Sequence, residues 1–158
     1  MNIFLDKKKF YIFILFYALT AILFVLYVEH ILQYRPCKLC LYQRVPYLVA
    51  IFFSFIGYNY YKNEKILIAI IMTFLISSIL SGYHYGIEKN IFEEFSGCTD
   101  NTIEIIDKQE LLKSLNNKAP SCKDVNFKLF GLSLAGINLI SSLFIAIYSL
   151  RTLVYEKN

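Results

Sequence analysis

Four long segments of this sequence contain no Lys, Arg, Asp or Glu, and this feature constrains the fold more than any other. The segments are 10–28, 45–61, 66–86 and 129–150. Each is long enough for an α-helix to cross the hydrocarbon core of a bilayer. Because 57% of the residues are hydrophobic and only 18% are charged, the chain is too apolar for a soluble domain of this size. We therefore predict an all-α membrane protein, a single domain over residues 1–158 in which four transmembrane helices form a bundle.

The first segment also shares one property with signal peptides, since Lys7, Lys8 and Lys9 precede an apolar run. That run is longer than the usual core of a signal peptide, and it ends at Val28 without a small-residue cleavage site. We expect a retained helix.

The distribution of basic residues predicts the orientation of the bundle. The termini and the connection 62–65 hold seven of the 16 Lys and Arg residues within 21 residues, whereas the connections 29–44 and 87–128 hold nine within 58 residues. Lys and Arg are denser in short cytoplasmic flanks than in external ones. We therefore predict cytoplasmic termini and external connections at 29–44 and 87–128.

All four cysteines, Cys37, Cys40, Cys98 and Cys122, lie in the two external connections. If cysteine served only as a small buried hydrophobe, some should occur in the apolar spans, which make up half of the chain. In an oxidising compartment, four cysteines with this distribution are typical of two disulfides.

Cys37 and Cys40 form a C-x-x-C motif before the second predicted helix, a spacing found in redox sites because two such thiols can close a ring or differ in pKa. The helix dipole and Arg44, one turn after Cys40, both favour a thiolate at Cys40. Arg44 also lies where a quinone headgroup would rest and could donate hydrogen bonds to a quinone carbonyl. The alternative is an arginine that only anchors the helix end in the interface.

Cys98 and Cys122 are separated by 23 residues of the long connection and would form a second redox pair. Thiolate exchange between two pairs on one membrane face moves electrons without a metal. Alternatively, a Cys98–Cys122 bond is a structural staple worth roughly 3–4 kcal/mol on the chain-entropy model. A four-cysteine zinc site is a further alternative, but such sites usually show two close pairs, so we predict no metal site.

His84 lies at the external end of the third predicted helix. It could relay a proton to a reduced quinone, which groups it with Arg44 as a quinone-binding candidate, or it could be an ordinary interface residue.

Within the long connection, Asp107 and Glu110 have the spacing of a capping box, and apolar residues follow at helical spacing. This pattern fits either a short helix on the membrane surface or a partly ordered loop.

Three motifs of this sequence resemble those of the DsbB-type disulfide bond formation proteins. They are PCKLCLYQR at 36–44, YHYGIE at 83–88 and FGLSLAGIN at 130–138. The resemblance extends over nearly the whole chain and implies four transmembrane helices in a bacterial inner membrane, with the cysteine-bearing connections in the periplasm. It also implies an enzyme, a protein-dithiol:quinone oxidoreductase that uses ubiquinone or menaquinone.

The resemblance implies a role for each matching residue. Cys98 and Cys122 would meet a soluble periplasmic thioredoxin-fold dithiol oxidase of the DsbA type, whose thiolate attacks Cys98. Cys37 would then exchange with Cys122, and Cys40, released as a thiolate, would deliver electrons to the quinone while Arg44 holds the ring oxygen. The implied partners are this oxidase, the membrane quinone pool and the lipid bilayer, with no nucleic acid.

Other functions compete with this interpretation. They are a reductase that keeps envelope thiols reduced, a scaffold with two structural disulfides, and a quinone-linked thiol oxidoreductase of the vitamin K epoxide reductase type. The external position of every cysteine argues against the reductase, and Arg44 one turn from Cys40 argues against the scaffold. The second cysteine pair in the long connection favours the DsbB type over the vitamin K type. The chain departs from common family patterns in having no tryptophan and in having Lys123 after Cys122.

Overall fold

A computed structural model describes residues 7–93, 121–123, 128–129 and 131–157 of the 158-residue chain. Cys98 lies outside the described residues. The surface helix considered after Asp107 lies outside them too.

Helices dominate the described part of the chain, and four spans are long and apolar enough to cross a membrane, which confirms the predicted fold class. The helices are α1 (Lys7–His30), α2 (Lys38–Tyr42), α3 (Arg44–Asn59), α4 (Glu64–Glu88) and α5 (Leu134–Lys157). The short helix α2 and the longer α3 together form one span, Lys38–Asn59.

The interruption between α2 and α3 follows from Pro46, which lies in the first turn of α3. A proline has no N–H to donate to the carbonyl four residues earlier, and its ring clashes with that carbonyl. The residue four positions before Pro46 is Tyr42, where α2 ends. Gln43 keeps an αR backbone between the two helices, so the chain continues in nearly the same course.

The four spans pack into a bundle around one main core. Helix α1 packs against α3, α3 against α4 and α4 against α5, and the rings of Phe10 and Tyr148 bring α1 next to α5, with 5.6 Å between centroids. Fully or nearly fully buried core side chains come from all four spans: Tyr11, Ile14, Ala50, Leu67, Ile70, Phe74 and Ile145.

The outward faces of the spans carry large apolar side chains. Phe16, Phe55, Ile79 and Phe144 are each 65–71% exposed. In water this arrangement would leave extended apolar patches uncovered, whereas lipid tails cover them.

Hydroxyl groups fill the interface of α4 and α5. Ser77 and Ser142 are fully buried, and their Oγ atoms lie 3.0 Å apart across that interface. Ser81 donates to the Ser77 carbonyl at 2.6 Å. Small residues let two helices approach closely in lipid, and the hydroxyls are satisfied within the bundle.

The fourth span begins later than the sequence pattern predicts. Helix α5 starts at Leu134 and not at 129, because Lys128–Leu129 and Leu132–Ser133 pair as two short antiparallel strands. Gly131 has a φ of 81° in the connecting turn, a backbone conformation that glycine adopts without steric cost. The first span is longer than predicted, 7–30 and not 10–28.

Gly57 on α3 allows the close approach of α1. A methyl group added at Gly57 would collide with the ring of Tyr11, whereas one added at Gly82 would meet Leu139 at an ordinary 3.6 Å. We expect Gly57→Ala to lower the free energy of unfolding by about 1–3 kcal/mol, the usual cost of overpacking, relative to Gly82→Ala. Thermal unfolding in detergent, followed by circular dichroism, measures the difference. Equal stability of the two variants would show that the α1–α3 contact is looser than described.

Candidate functional site

Cys37 is the N-cap of α2 and lies at the end of the bundle where α1 also ends. Pro36 disfavours a helical backbone at the residue before it, and Cys37 has φ −75° and ψ 169°, an extended conformation that suits an N-cap. Its Sγ accepts the backbone N–H of Cys40 at 3.4 Å. The local backbone therefore places both sulfurs of the C-x-x-C motif on the same turn.

The sulfurs of Cys37 and Cys40 lie 3.2 Å apart, with the Cys37 thiol donating. The side chain of Cys37 is only 6% exposed. Its hydrogen bond with Cys40, and then its burial, raise the pKa of Cys37 to about 12, against a smaller lowering by His84. Since Cys37 remains a thiol and donates, the negative charge of the pair resides on Cys40.

Cys122 lies against the same pair although it is distant in sequence. Its side chain is 2% exposed and packs in one cluster with Cys37, Leu39 and Ile87. The Sγ atoms of Cys37 and Cys122 and a ring nitrogen of His84 lie within 4.8 Å of one another. Only a small movement would therefore bring the sulfur of Cys122 to bonding distance of Cys37.

His84 joins the cluster from the last turn of α4. Its Nε2 lies 3.5 Å from Cys37 Sγ and 3.8 Å from a carboxylate oxygen of Glu88. Its Nδ1 lies 3.0 Å from the side-chain nitrogen of Gln43. His84 is 3% exposed, so these contacts replace water.

Arg44 pairs with an acid that the sequence analysis did not single out. Its Nη2 lies 2.6 Å from a carboxylate oxygen of Glu29, near the end of α1. The Nε of Arg44 is buried and has no hydrogen-bond partner among the described residues. While Glu29 holds one side of the Arg44 guanidinium, the Nε–H group can still donate a hydrogen bond to an oxygen atom of a bound molecule.

A cavity of about 380 Å³ lies beside Cys40 and Arg44, within the usual range for a small-molecule site. Apart from these two it is lined, among the described residues, by side chains of α1 and α5 and of the α2–α3 span: Tyr17, Thr20, Ala21, Ile22, Phe24, Val25, Gln43, Tyr47, Leu134, Ile137, Asn138 and Ser141. This lining is mostly apolar with a few polar groups. His84 does not line this cavity but a smaller one of about 80 Å³, which Cys40 and Arg44 also line.

Polar side chains continue from the cluster into the middle of the bundle. Asn138 donates to Gln43 at 3.2 Å, and its own carbonyl oxygen accepts from Tyr47 at 2.5 Å and from Ser142 at 3.0 Å. These residues were not predicted from the sequence. The available signal was an amide side chain in or beside an apolar span, since such groups must find partners within the protein.

The structure brings Cys37, Cys40, Cys122, Arg44 and His84 to one end of the bundle. Cys37, His84 and Cys122 also have the separation of three ligands for a metal ion. Cysteine spacing predicted no metal site, because spacing along the sequence does not show that a histidine of α4 lies beside the cysteines.

Comparison with known proteins agrees with the motifs of this site. The sequence model of the family described as "Disulfide bond formation protein DsbB" matches residues 7–152. An uncharacterized protein of Rickettsia prowazekii (strain Madrid E) is 33% identical over an alignment of 135 residues, which covers 82% of this chain and 78% of that protein. A probable disulfide formation protein C of Halalkalibacterium halodurans is 39% identical over 72 residues, 46% of this chain and 52% of that protein.

The hydrogen bond to Cys40 is the largest cause of the raised pKa of Cys37. In Cys40→Ala we expect this pKa to fall, so that the thiolate fraction of Cys37 at pH 8 rises about tenfold for each unit of the fall. Alkylation of the reduced protein by iodoacetamide, resolved by residue with mass spectrometry, measures the change. Cys122→Ala is the control, since it removes a packing neighbour of Cys37 but keeps the hydrogen bond to Cys40, and it should raise the Cys37 rate less than Cys40→Ala does. A Cys37 that is already reactive in the wild type would contradict the expectation.

Proposed function

We propose a specific reaction for this chain, which belongs to the DsbB family of disulfide bond formation proteins and is a multi-pass membrane disulfide oxidoreductase. It oxidises a soluble periplasmic thioredoxin-fold dithiol oxidase and passes the electrons to a membrane quinone. The observation that carries the proposal is the convergence of Cys37, Cys40 and Cys122 beside a largely apolar cavity that Arg44 also lines. A purely structural disulfide would need neither the third cysteine nor the cavity.

The first exchange takes place at the second cysteine pair. A thiolate of the partner attacks Cys98 of a Cys98–Cys122 disulfide, which forms a mixed disulfide and releases Cys122 as the thiolate. The second thiol of the partner then resolves the mixed disulfide at the end of the cycle. The partner thereby loses two electrons and two protons, and the enzyme takes them up.

The second exchange takes place between the two connections. The Cys122 thiolate attacks Cys37 of a Cys37–Cys40 disulfide, so that a Cys37–Cys122 bond forms and Cys40 leaves as the thiolate. The packing of Cys122 against Cys37 supports this step, since the sulfur of Cys122 need not travel far. The position of Cys37 supports the direction, because its sulfur lies 3.2 Å from that of Cys40 and within 4.8 Å of that of Cys122.

The residues around the larger cavity fit a quinone. The buried Nε of Arg44 is a donor without a hydrogen-bond partner among the described residues, and the walls of the cavity are mainly apolar. A bound quinone would supply an acceptor for two electrons and two protons, and a strong one is needed because DsbA-type oxidases are themselves strong oxidants, with a potential of about −120 mV. Arg44 would hold a ring oxygen, Glu29 would hold Arg44, and Cys40 would face the ring. The quinone would be a ubiquinone or a menaquinone.

The orientation proposed for the bundle places this site at the periplasmic side of a bacterial inner membrane. At the opposite end, the ammonium group of Lys8 lies over the ring of Tyr61, 4.6 Å from its centroid. A basic cluster at that end supports cytoplasmic termini.

The first test follows quinone absorbance with the purified protein, a reduced thioredoxin-fold dithiol oxidase and a soluble quinone. We expect catalytic turnover by the wild type and none by Cys40→Ser. Arg44→Ala should raise the KM for quinone by about tenfold to a hundredfold, the equivalent of one charge-assisted hydrogen bond. Arg151→Ala, at the other end of the bundle, is the matched control. Absence of turnover by the wild type with several such partners would refute the relay.

A second test concerns the ion pair of Glu29 with Arg44. In Glu29→Ala the guanidinium is no longer held, so we expect the KM for quinone to rise several-fold through loss of pre-organisation. The rate at which the oxidised enzyme reacts with the partner's dithiol in the absence of quinone should not change. Glu64→Ala provides the control, since Glu64 opens α4 at the far end. An unchanged KM would mean that Glu29 has no part in the quinone site.

A further inference from the structure

The hydrogen bonds between His84 and the centre of the bundle have a defined direction. Tyr47 Oη and Ser142 Oγ both donate to Oδ1 of Asn138, at 2.5 and 3.0 Å. Because the only hydroxyl proton of Ser142 is used in this way, Ser77 must donate to Ser142. Two donors therefore fix the carbonyl end of the Asn138 amide, and its nitrogen points the other way.

The orientation of the Asn138 amide determines that of Gln43, which contacts the imidazole of His84. Nδ2 of Asn138 donates to Oε1 of Gln43 at 3.2 Å, so that Nε2 of Gln43 faces Nδ1 of His84 at 3.0 Å. An amide nitrogen donates and does not accept. Nδ1 of His84 must then accept, and in a neutral imidazole the single ring proton is carried by Nε2.

We infer that Gln43 and Asn138 are positioning residues that hold His84 as the Nε2–H tautomer, so that the Cys37–His84–Cys122 cluster performs thiol exchange and does not bind a metal ion. Both neighbours of Nε2, Cys37 Sγ at 3.5 Å and the Glu88 carboxylate at 3.8 Å, are acceptors, as a ring N–H requires. A metal ion needs the opposite tautomer, with a lone pair at Nε2 and an N–H at Nδ1 that donates to a carboxylate, carbonyl or water. Gln43 offers Nδ1 a donor where a metal site needs an acceptor.

The consequence for the cysteines rests on the proposed function. When Cys98–SH attacks the Cys37–Cys122 bond, a Cys98–Cys122 bond forms and Cys37 leaves with the electron pair and takes up the proton. The Nε2–H of His84 stabilises the charge on the departing Cys37 sulfur.

The tautomer can be measured without turnover. The chain contains two histidines, so ¹⁵N-histidine labelling of the reduced protein gives two ring spin systems, which His30→Gln assigns. We expect the His84 signals to show a protonated Nε2 and an unprotonated Nδ1 in the wild type. In Gln43→Glu a carboxylate replaces the amide donor, and the two nitrogens should exchange their protonation. A protonated Nδ1 in the wild type would overturn the inference.

Metal binding gives a second, independent measurement. Titration with Co²⁺ under reducing conditions, followed by thiolate-to-metal charge-transfer absorbance, should show at least tenfold tighter binding by Gln43→Glu than by the wild type, in line with other changes beside a metal-bound histidine. Gln33→Glu controls for the added charge, and His84→Ala in the Gln43→Glu background should abolish the gain. Equally tight binding by the wild type would refute the proposal, whereas a failed quinone assay with the expected tautomer would refute only the proposed function.

Discussion

Polar groups inside a bilayer must find their partners within the protein, and this constraint shapes the whole bundle. It requires helices, because only they satisfy the backbone within each span. It also requires that buried side chains pair across helices, as Ser77 does with Ser142 and Asn138 does with Gln43. In water these groups could exchange partners freely, but in lipid the cost of an unsatisfied amide keeps each in one orientation. The same requirement that stabilises the bundle therefore also organises its site.

The site depends on two prolines with different effects. Pro36 favours an extended backbone at Arg35 and lets Cys37 cap the following helix, while Pro46 ends the hydrogen-bond ladder at Tyr42. Cys37 and Cys40 thus lie on a separate short helix at the head of a long span. If α2 and α3 were one continuous helix, the turn that carries Cys37 and Cys40 would not be separate from the rest of the span.

The sequence predicts the spans well because absence of charge over about twenty residues has one main physical explanation. It also predicts the C-x-x-C pair and Arg44 as candidates, since their types and spacing carry the signal. The ion pair of Glu29 with Arg44 was not predictable, because it depends on how α1 is rotated relative to α3. The start of α5 was misplaced for another reason: residues 129–133 are as apolar as the helix, and the turn becomes visible only in the structure, through the strand pairing and the positive φ of Gly131. The role of Cys98 stays a prediction, since it lies outside the described residues.

The larger cavity lies among residues of the membrane spans, whereas Cys37 and Cys122 cluster at the end of the bundle. Cys40 borders both regions and therefore lies between the lipid phase and the aqueous phase. For a lipid-soluble oxidant this position has a partitioning effect, because such a molecule is concentrated in the bilayer far above its level in water. One guanidinium group and a few hydroxyls would then suffice to hold the proposed quinone, and the proposed soluble partner would not compete for the same space.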